Sequence, residues 1–269
     1  MADRILVFIP CYNCAPQIGR VLGQLAGPAA RFFDEVLVVD NGSIDGTREA
    51  AIAALPQLGT LRGKVVRNRA NYNLGGSHKA AFAYAQANGF SHVVVLHGDD
   101  QGDIADLVPL LESGEHRRRD ACLGARFLAK SRLQNYSTFR IFGNHVFNTL
   151  FTLVSARRVA DLGSGLNLFG PAVFTDAQVI RHSDDLRFNV YLLLSLIDAK
   201  KDILFFPISW REDDQISNVK MMSQARRTLA IAWEYVARRR HFRDSDHRDT
   251  RHEVYAFDTL AVHEGAAHG

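Results

Sequence analysis

In the first half of the chain, short runs of Val, Ile and Leu alternate with longer stretches in which apolar residues recur every three or four positions. A continuous apolar run of about four to eight residues is typical of a strand buried on both faces, whereas the longer period is typical of a helix packed on a sheet. The predicted strands cover residues 5–9, 35–39, 64–67, 93–96 and 121–124, and the predicted helices cover residues 16–25, 47–55, 76–88 and 104–111. This alternation predicts an α/β fold with a mostly parallel sheet flanked by helices on both faces.

The second half of the chain has a different pattern, with long helical stretches and fewer strands. The predicted helices cover residues 139–153, 188–199 and 219–240, and the predicted strands cover residues 166–169 and 203–208. The first of these helices has apolar side chains at helical spacing along one face: Phe139, Phe142, Val146, Leu150 and Leu153. Two interpretations of this amphipathic helix stay open, namely packing on the sheet and lying on a membrane surface.

The patterns predict one folded domain over residues 1–237, with a first half at about residues 1–126 and a second half at about residues 127–237. The fold ends in a C-terminal helical extension, and residues 238–269 form a charged tail. Within it, residues 241–252 are rich in Arg, Asp and His and contain almost no apolar side chain. Because such a segment buries little apolar surface to offset the entropy of ordering, we predict that the tail is mobile.

The composition is that of a folded protein, since 47% of the 269 residues are apolar and 23% are charged. The formal net charge is only +3, and the arginine clusters lack the aromatic interleaving of a nucleic-acid-binding module, so we predict no nucleic-acid partner. No apolar run approaches the roughly 20 residues of a spanning helix, and the three cysteines are an odd number. We therefore expect a cytoplasmic protein, either free or attached peripherally to the inner face of a membrane.

Acidic side chains follow the predicted strand at residues 93–96. His97, Gly98, Asp99, Asp100 and Gln101 come directly after it, at the edge of the sheet where open α/β folds keep their ligand sites. Divalent cations prefer carboxylate oxygens together with the phosphates of a substrate. Asp99 is therefore our candidate metal ligand, although an acidic turn without a metal has the same pattern.

Two further turns carry small or polar residues at the start of a predicted helix. Residues 40–47 place Asp40, Gly42 and Ser43 after the second strand, where a carboxylate and a closely approaching backbone can hold a nucleoside. Residues 71–79 place Gly75, Gly76 and Lys79 at a helix start, where backbone N–H groups attract phosphate. Each turn could also be a simple helix cap.

Taken in order, these turns resemble those of family 2 glycosyltransferases of the GT-A fold. The segments that carry the resemblance are residues 9–13, 38–47, 71–79 and 96–101. Residues 124–126, 131–132 and 164–169 are similar to later segments of the polyprenyl-phosphate sugar synthases, such as dolichol-phosphate mannosyltransferase. The resemblance covers about residues 5–220, and it implies a GT-A domain whose first half binds the nucleotide sugar and whose second half binds the acceptor.

The resemblance also assigns roles to individual residues. It implies that the nucleotide-diphosphate sugar donor contacts Pro10, Tyr12, Asn13, Asp40, Gly42, Ser43, Gly75, Gly76, Lys79, Asp99 and Gln101. Asp99 corresponds to the last acid of the DxD motif of the family, and it would hold Mg²⁺ or Mn²⁺ against the diphosphate. His97 stands at the first acid of that motif and is the second candidate metal ligand. His97 and Cys14 stand where the family has acids, so the resemblance does not choose between Mg²⁺ and Mn²⁺. The same replacements leave open the alternative that the protein binds the donor without catalysing transfer.

We expect an inverting transfer, for which Asp99, Arg211 and Asp185 are the candidate catalytic residues. A polyprenyl phosphate acceptor is already anionic and needs no general base, and Arg211 and Lys220 would bind its phosphate. A saccharide hydroxyl acceptor, used in assembling a surface polysaccharide or another glycan, needs a carboxylate base. Asp184 and Asp185 are candidates for that base, and a helix cap is the alternative role of both.

Overall fold

The computed structural model describes residues 3–214 and 221–265 of the chain. The described strands are β1 (Ile5–Cys11), β2 (Glu35–Asp40), β3 (Arg62–Asn68), β4 (His92–Leu96), β5 (Ala121–Ala125), β6 (Arg132–Gln134), β7 (Leu166–Phe169), β8 (Ile203–Pro207), β9 (Ser209–Arg211) and β10 (Phe257–His263). The described α-helices are α1 (Ala15–Gln24), α2 (Thr47–Ala54), α3 (Asn73–Ala87), α4 (Val108–Glu112), α5 (Thr138–Ser155), α6 (Pro171–Phe174), α7 (Phe188–Asp198), α8 (Met221–Ala237) and α9 (Arg239–Asp244). Short 3₁₀ helices lie at Pro28–Phe32, Leu55–Leu58, Ile104–Leu107, Glu115–Arg118 and Val179–Arg181.

Eight strands form one mixed sheet in the order β10-β3-β2-β1-β4-β7-β5-β8, and β6 pairs with β9 in a small second sheet. Strands β3, β2, β1 and β4 run parallel to one another, and β5 runs parallel to β8. Strand β7 is antiparallel to both β4 and β5, and β10 is antiparallel to β3. The predicted α/β fold with a mostly parallel sheet and flanking helices is confirmed.

The two faces of the sheet are covered by two separate apolar cores. Val7, Ile9 and Val36 belong to one core, together with apolar residues of α1 and α2. Leu6 and Phe8 belong to the other, together with residues of α3 and α7. Successive side chains of a strand point to opposite faces, so a sheet that is covered on both sides needs apolar residues at every position. This is why the strands are continuous apolar runs in the sequence.

Helix α5 forms where the amphipathic pattern predicts it, and it packs against α7 and α8 in a third apolar cluster that includes Phe151. Its opposite side is exposed, because Phe139, Phe142 and Leu153 are each at least two-thirds accessible. The long helix predicted over residues 219–240 is α8 followed by α9, and its first two residues lie outside the described part of the chain. In the described chain no helix is both long enough and apolar enough to cross a bilayer.

The prediction of a mobile tail is wrong for the described residues after 238. Residues 239–244 form α9, and β10 adds to the exposed edge of β3, with Phe257 paired to Asn68 and His263 paired to Gly63. Tyr255 is buried against Tyr72, with ring centroids 5.2 Å apart. A free strand edge supplies backbone hydrogen bonds that composition does not reveal, so a segment with few apolar residues becomes ordered.

Candidate active site

The carboxyl ends of β2, β1 and β4 place three turns side by side. Cys11 pairs with Asp40 across β1 and β2, and the Asn41 N–H donates to the Cys11 carbonyl oxygen at 2.9 Å. On the other side, the Gly98 N–H donates to the Pro10 carbonyl oxygen at 3.1 Å. The turns that contain Asp40 and Asp99 therefore flank the end of β1, as the spacing of the motifs predicts.

Asp99 is the partly exposed carboxylate of the turn after β4. Its Oδ1 accepts a hydrogen bond from the Gln101 N–H at 3.3 Å. Burial of the carboxyl group, with a smaller contribution from the charge of Asp100, raises the pKa of Asp99 to about 6. A carboxylate that is poorly solvated and close to a second acid gains most from a bound cation. Asp99 is thus well suited to hold a divalent metal ion.

Asp100, the next residue, has a structural role. Its carboxylate is buried and accepts hydrogen bonds from Arg20 Nε at 2.7 Å and from Gln24 Nε2 at 2.8 Å. Arg211 contacts the same carboxylate and donates from Nε to the Asp100 carbonyl oxygen at 2.7 Å. These contacts hold Asp100 at a φ of 59°, a backbone conformation that non-glycine residues seldom adopt. The two adjacent acids therefore differ: the Asp100 side chain holds the shape of the turn, and the Asp99 side chain is partly exposed on it.

His97 packs its ring against Gly165, where an added Cβ would lie 2.8 Å from the His97 Cγ. Burial, together with the charge of Arg126, lowers the pKa of His97 to about 4, so the imidazole is neutral at physiological pH. Its Nε2 is buried and has no hydrogen-bond partner among the described residues. An imidazole and a carboxylate supplied by residues two positions apart are donor types that suit Mn²⁺ better than Mg²⁺, which prefers oxygen. The residues present fit a divalent cation at this turn.

The turns after β1 and β2 are joined by side-chain hydrogen bonds. The Asn13 N–H donates to Ser43 Oγ at 2.9 Å, and Asn13 Oδ1 accepts from the Ile44 N–H at 3.0 Å. Tyr12 is 49% exposed beside them. Gly42 has a φ of 85°, and a Cβ there would meet no atom within 4 Å, so its surface is open. Among the residues of these two turns that are predicted to contact the donor, Tyr12 and Asn13 are exposed, Pro10 and Gly42 are partly exposed, and Ser43 is buried.

The role predicted for Asp40, a direct contact with the base or ribose, is not supported by its position. The side chain is buried, and Oδ1 accepts a hydrogen bond from the Ser43 N–H at 3.0 Å. Its Oδ2 lies 3.8 Å from Arg48 Nε. Asp40 therefore stabilises the turn from inside the fold. Its side chain is covered by Arg48 of α2, the helix that follows β2.

Gly75 and Gly76 are also structural, contrary to the prediction that they approach the donor. Both N–H groups donate to the carbonyl oxygen of Asp184, at 2.6 and 3.3 Å, so they do not point to a ligand. A Cβ at Gly75 would lie 2.5 Å from the Ser183 carbonyl oxygen, and one at Gly76 would lie 2.5 Å from the Tyr72 Cβ. The glycines let the start of α3 approach the segment before α7, which no local pattern in the sequence reveals.

Lys79 is likewise turned away from the turns after β1, β2 and β4. Its Nζ donates to the His182 carbonyl oxygen and to Asp184 Oδ1, each at 2.5 Å, and lies 5.0 Å from the centre of the Tyr255 ring. Burial lowers the pKa of Lys79 to about 8, although Asp184 acts in the opposite direction. Lys79, which was predicted to contact phosphate, therefore forms a buried ion pair. The pair joins α3 to the segments around residues 184 and 255.

Both candidate bases already form hydrogen bonds with other side chains. Asp184 accepts hydrogen bonds from Lys79 and from Tyr255 Oη at 2.7 Å. Asp185 accepts from the Arg187 N–H at 2.8 Å and contacts Arg227 at 3.0 Å. Burial alone would raise the pKa of Asp185, but the hydrogen bonds from Arg187 outweigh it and the pKa is lowered. A carboxylate with a lowered pKa is a poor proton acceptor, so Asp185 does not fit the predicted role of general base.

The second half of the chain contributes Arg211, which reaches the Asp99 turn. The Arg211 N–H donates to the Gln101 carbonyl oxygen at 3.0 Å, and Trp210 forms a bridge with Gly102. Lys220, predicted to bind the acceptor phosphate together with Arg211, lies outside the described residues. Arg20, the other guanidinium on Asp100, is a site residue that sequence patterns did not predict, since nothing local distinguishes it from other helical arginines.

Arg126 is a second residue that the sequence did not single out as part of the site. It forms a buried ion pair with Asp161 at 2.7 Å and lies 5.2 Å from the centre of the Trp210 ring. Burial disfavours its charge, but Asp161 more than compensates and raises the pKa of Arg126. Because it directly follows β5, as His97 follows β4, its place at a strand end is a signal that could have identified it.

Comparison with known proteins agrees with this geometry. A family model described as "Glycosyl transferase family 2" matches residues 6–173. The chain is 30% identical over 182 residues to "Glycosyltransferase AglJ" of Haloferax volcanii, a match that covers 65% of this chain and 52% of that protein. It is 24% identical over 209 residues to "Polyprenol monophosphomannose synthase" of Mycolicibacterium smegmatis, covering 78% of this chain and 72% of the relative. The chain thus spans about half the length of AglJ.

The fold is also found in a solved structure. Glucosyl-3-phosphoglycerate synthase from Mycobacterium tuberculosis, in complex with Mn²⁺, uridine diphosphate and glucosyl-3-phosphoglycerate, superimposes with a TM-score of 0.63 at 16% sequence identity. The superposition covers 87% of this chain and 80% of that one. At this identity the likeness shows the fold, which is GT-A-like. Since the family model covers more than half of the chain, the chain belongs to glycosyltransferase family 2.

Proposed function

We propose that this protein transfers a sugar, with inversion at the anomeric carbon, from a nucleotide-diphosphate sugar to a polyprenyl phosphate at a membrane surface. The observation that carries the choice of acceptor is an exposed apolar surface on α5 and α8. The donor crevice, formed by the turns at the ends of β1, β2 and β4, supports the choice of donor and cation.

The donor would lie over the turns after β1 and β2. Tyr12 and Asn13 are exposed there, and the open backbone at Gly42 allows close approach of a nucleoside. The structure of the glucosyl-3-phosphoglycerate synthase, which shares the fold, contains uridine diphosphate and Mn²⁺. This supports a nucleoside diphosphate as the leaving group, with the base and the sugar unassigned.

Asp99 and His97 would hold the cation, Mg²⁺ or Mn²⁺. A bound cation would stabilise, as a Lewis acid, the charge that develops on the diphosphate when the sugar leaves. Asp100, Arg20 and Arg211 keep the turn in place, since two guanidinium groups converge on one carboxylate. Arg211, whose side chain is 34% exposed, also brings positive charge to the point where an anionic acceptor would arrive.

The contacts of the two candidate bases favour one class of acceptor. A hydroxyl acceptor must lose a proton during the transfer, whereas a polyprenyl phosphate is already a nucleophilic anion. Asp185 is bound by Arg187 and Arg227, and Asp184 is bound by Lys79 and Tyr255. Neither carboxylate is suited to take a proton, which favours the phosphate acceptor.

The exposed apolar surface supports a lipid acceptor. Helices α5 and α8 pack against each other, and each presents an apolar stripe to solvent. The stripe residues, all between 46% and 74% exposed, are Phe139, Phe142, Val146 and Leu153 on α5 and Met222, Leu229, Trp233 and Val236 on α8. Basic residues accompany both helices, at 157–158 and 226–227. A clustered apolar surface with basic neighbours is typical of a helix pair that lies on an anionic membrane.

An acceptor panel tests the activity. The full chain is incubated with radiolabelled sugar nucleotides, Mn²⁺ or Mg²⁺, and either a short polyprenyl phosphate or a saccharide. We expect a product that extracts into organic solvent, is released by mild acid and is absent with Asp99→Ala. Transfer only to the saccharide would identify the enzyme as a glycan transferase and overturn the lipid acceptor. Donor binding without turnover with either acceptor would indicate a catalytically silent binding protein.

Vesicle binding tests the membrane surface separately. Trp233→Glu places a charge on the stripe, and Val254→Glu places the same charge at a residue that is equally exposed, 69% in each case, but lies elsewhere in the chain. We expect Trp233→Glu to weaken binding to vesicles that contain phosphatidylglycerol by about 10-fold or more, and Val254→Glu to leave it unchanged. Equal binding by both variants would show that α8 does not face the membrane.

A further inference from the structure

A second group of metal-ligating side chains lies at the opposite edge of the sheet from the donor crevice. Asp3 precedes β1, and His92 is the first residue of β4, paired in register with Ile5. His116 lies in the 3₁₀ turn that precedes β5. Because β1 and β4 are parallel, their amino ends meet at one edge and their carboxyl ends at the other. This group, the Asp3–His92–His116 cluster, is therefore separate from Asp99 and His97.

The three side chains converge closely enough to share one ion. One ligand atom from each lies within 4.8 Å of the other two. His116 Nε2 is 3.0 Å from Asp3 Oδ2, and the His92 and His116 ring centroids are 5.1 Å apart. Both histidines are buried, at 7% and 1% exposure, whereas Asp3 is partly exposed. Two imidazoles and one carboxylate form a common ligand set for Zn²⁺ in proteins.

Hydrogen bonds on the far side of each ring direct the other nitrogen toward the cluster. The Ser91 hydroxyl donates to the Arg4 carbonyl oxygen at 3.1 Å, so Ser91 Oγ accepts at 3.0 Å from His92 Nδ1. His116 Nδ1 lies 3.3 Å from the carbonyl oxygen of Leu110, to which it donates. Because Nδ1 is bonded on the far side of each ring, Nε2 is the nitrogen that faces the cluster. This arrangement is the usual one for metal-bound histidines, whose second nitrogen donates to a carbonyl or hydroxyl oxygen.

His116 and Asp3 are close enough to bind the same ion. His116 Nε2 lies 3.0 Å from Asp3 Oδ2, which also accepts a hydrogen bond from Arg117 Nε at 2.8 Å. An imidazole nitrogen and a carboxylate oxygen at that distance share either a proton or a cation. A metal ion in place of the proton would bind both atoms together with Nε2 of His92.

The cluster is accessible and its surroundings tolerate a cation. Asp3, Ser91 and His92 line a surface cavity of about 460 Å³ that an ion and its waters could enter. Arginines 117–119 border the same cavity, but acids offset their charges. Arg118 and Arg119 pair with Glu115, and Arg119 also pairs with Asp202. Arg117, which contacts Asp3, has a 61% exposed side chain and is able to turn toward solvent.

We propose that Asp3, His92 and His116 form a binding site for a divalent transition metal of the Zn²⁺ class, distinct from the cation at the donor crevice. Three protein ligands leave a fourth position directed to the cavity. The ion would join the segment before β1, the start of β4 and the turn before β5. Metal binding to the folded chain alone would therefore raise its stability.

The test uses untagged full-length protein, stripped with a chelator, in an Asp99→Ala background that removes the carboxylate of the other cation site. Zn²⁺ titration by calorimetry is expected to show about one equivalent bound and a rise in the melting temperature. Adding Asp3→Asn should weaken Zn²⁺ binding by about 100-fold or more, and Ser91→Ala, which frees the His92 ring, by about 10-fold. Adding Asp34→Asn, at the same sheet edge but outside the cluster, should leave Zn²⁺ affinity unchanged.

Co²⁺ provides a readout of the ligands themselves. We expect visible absorption bands from Co²⁺ bound to the Asp99→Ala protein and their loss when His116→Gln is added. Circular dichroism of the metal-free variants checks that each is folded, and Asp3→Asn, at a partly exposed position, serves if His116→Gln is not. Failure of the Asp99→Ala protein to bind Zn²⁺, or equal affinity with and without Asp3, would overturn the proposal. Neither result bears on the proposed transfer, which depends on Asp99.

Discussion

Arg211 donates from Nε to the main-chain carbonyl oxygen of Asp100 across 2.7 Å, although the two residues are 111 positions apart in the chain. The same guanidinium contacts the Asp100 carboxylate, and the Arg211 N–H donates to the Gln101 carbonyl oxygen at 3.0 Å. The second half of the chain therefore holds both sides of the turn that carries Asp99. Because a displacement of about 1 Å is enough to impair positioning of a reacting group, this contact couples the two halves of the proposed site.

Replacing Arg211 should lower activity by disturbing this turn. We expect Arg211→Ala to reduce kcat/KM by about 100-fold and Arg211→Lys to recover only part of the loss, since lysine lacks the planar fork that contacts two acceptors. Arg31→Ala removes an exposed arginine that pairs with Glu112, and it should have little effect. Activity of Arg211→Ala within about 3-fold of the wild type would show that the turn keeps its shape without the clamp.

Asp99→Asn should separate stability from function. The pKa of Asp99 is about 6 in the folded protein and 3.8 as the ordinary value. Between these two pH values the folded chain binds the proton more tightly than the unfolded chain, so the free energy of unfolding falls as the pH rises from 3.8 to about 6. Removing the charge should therefore stabilise the metal-free protein at pH 7.5 by on the order of 1–2 kcal/mol.

The same variant should lose every Mn²⁺-dependent rise in melting temperature with a sugar nucleotide, provided that Zn²⁺-class metals are absent. The measurement is thermal unfolding with and without Mn²⁺. An Asp99→Asn protein that still responds to Mn²⁺ as strongly as the wild type would show that the cation is held elsewhere.

Gly75→Ala should destabilise the fold. The added Cβ would lie 2.5 Å from a backbone oxygen and 2.7 Å from the Phe188 Cβ, neither of which can move freely. We expect a loss of about 2–4 kcal/mol in the free energy of unfolding, measured by urea denaturation. Gly19→Ala is the matched control, because a Cβ there meets nothing within 4 Å in the middle of α1, and it should stabilise by about 0.5–1 kcal/mol. Equal effects would mean that α3 is free to shift.

Lys79 tests whether the buried pair is structural. Lys79→Met leaves the Asp184 carboxylate buried without its cation and should cost about 3–5 kcal/mol of stability. The double variant Lys79→Met/Asp184→Asn should regain part of that loss, because no charge is left unpaired. A Lys79→Met protein with wild-type stability but no donor binding would restore the original prediction that Lys79 contacts phosphate.

Acid should unfold the protein steeply. Burial lowers the pKa of His78 and His182 to about 3, and of His97 and His92 to about 4, from an ordinary value of 6.5. The unfolded chain therefore binds more protons than the folded chain below pH 6.5. Stability is present above that pH and is lost as the pH falls toward 4.

The His78 ring packs among Phe8, Phe82 and Phe188, so that His78→Phe removes a titrating group with little change of shape. We expect this variant to reduce the pH dependence of stability between pH 6 and 4 by about one proton, or about 1.4 kcal/mol per pH unit. The measurement is urea denaturation over that range, with pH 7.5 as the reference. An unchanged slope would mean that His78 is protonated in the folded protein.

The sequence by itself determined the alternation of strands and helices in the first half of the chain, the family, and the turns that meet at the ends of β1, β2 and β4. Buried parallel strands require unbroken apolar runs, and the turns directly follow them, so both features are local in the chain. The positions of Asp99, Asn13 and Tyr12 at strand ends could be predicted for this reason. So could the helical form of α5, since its period is visible over its whole length.

Only the tertiary structure decided which polar residues face the crevice and which are covered. Gly75 and Lys79 carry the pattern of a ligand site, yet they contact Ser183 and Asp184, about 105 residues later in the chain, and Asp40 is covered by Arg48 of α2. The edge that orders β10 belongs to β3, about 190 residues earlier, and Arg211 contacts Asp100 across a separation of 111 residues. Such contacts depend on packing and hydrogen bonds between segments, and a local pattern of residue types does not encode them.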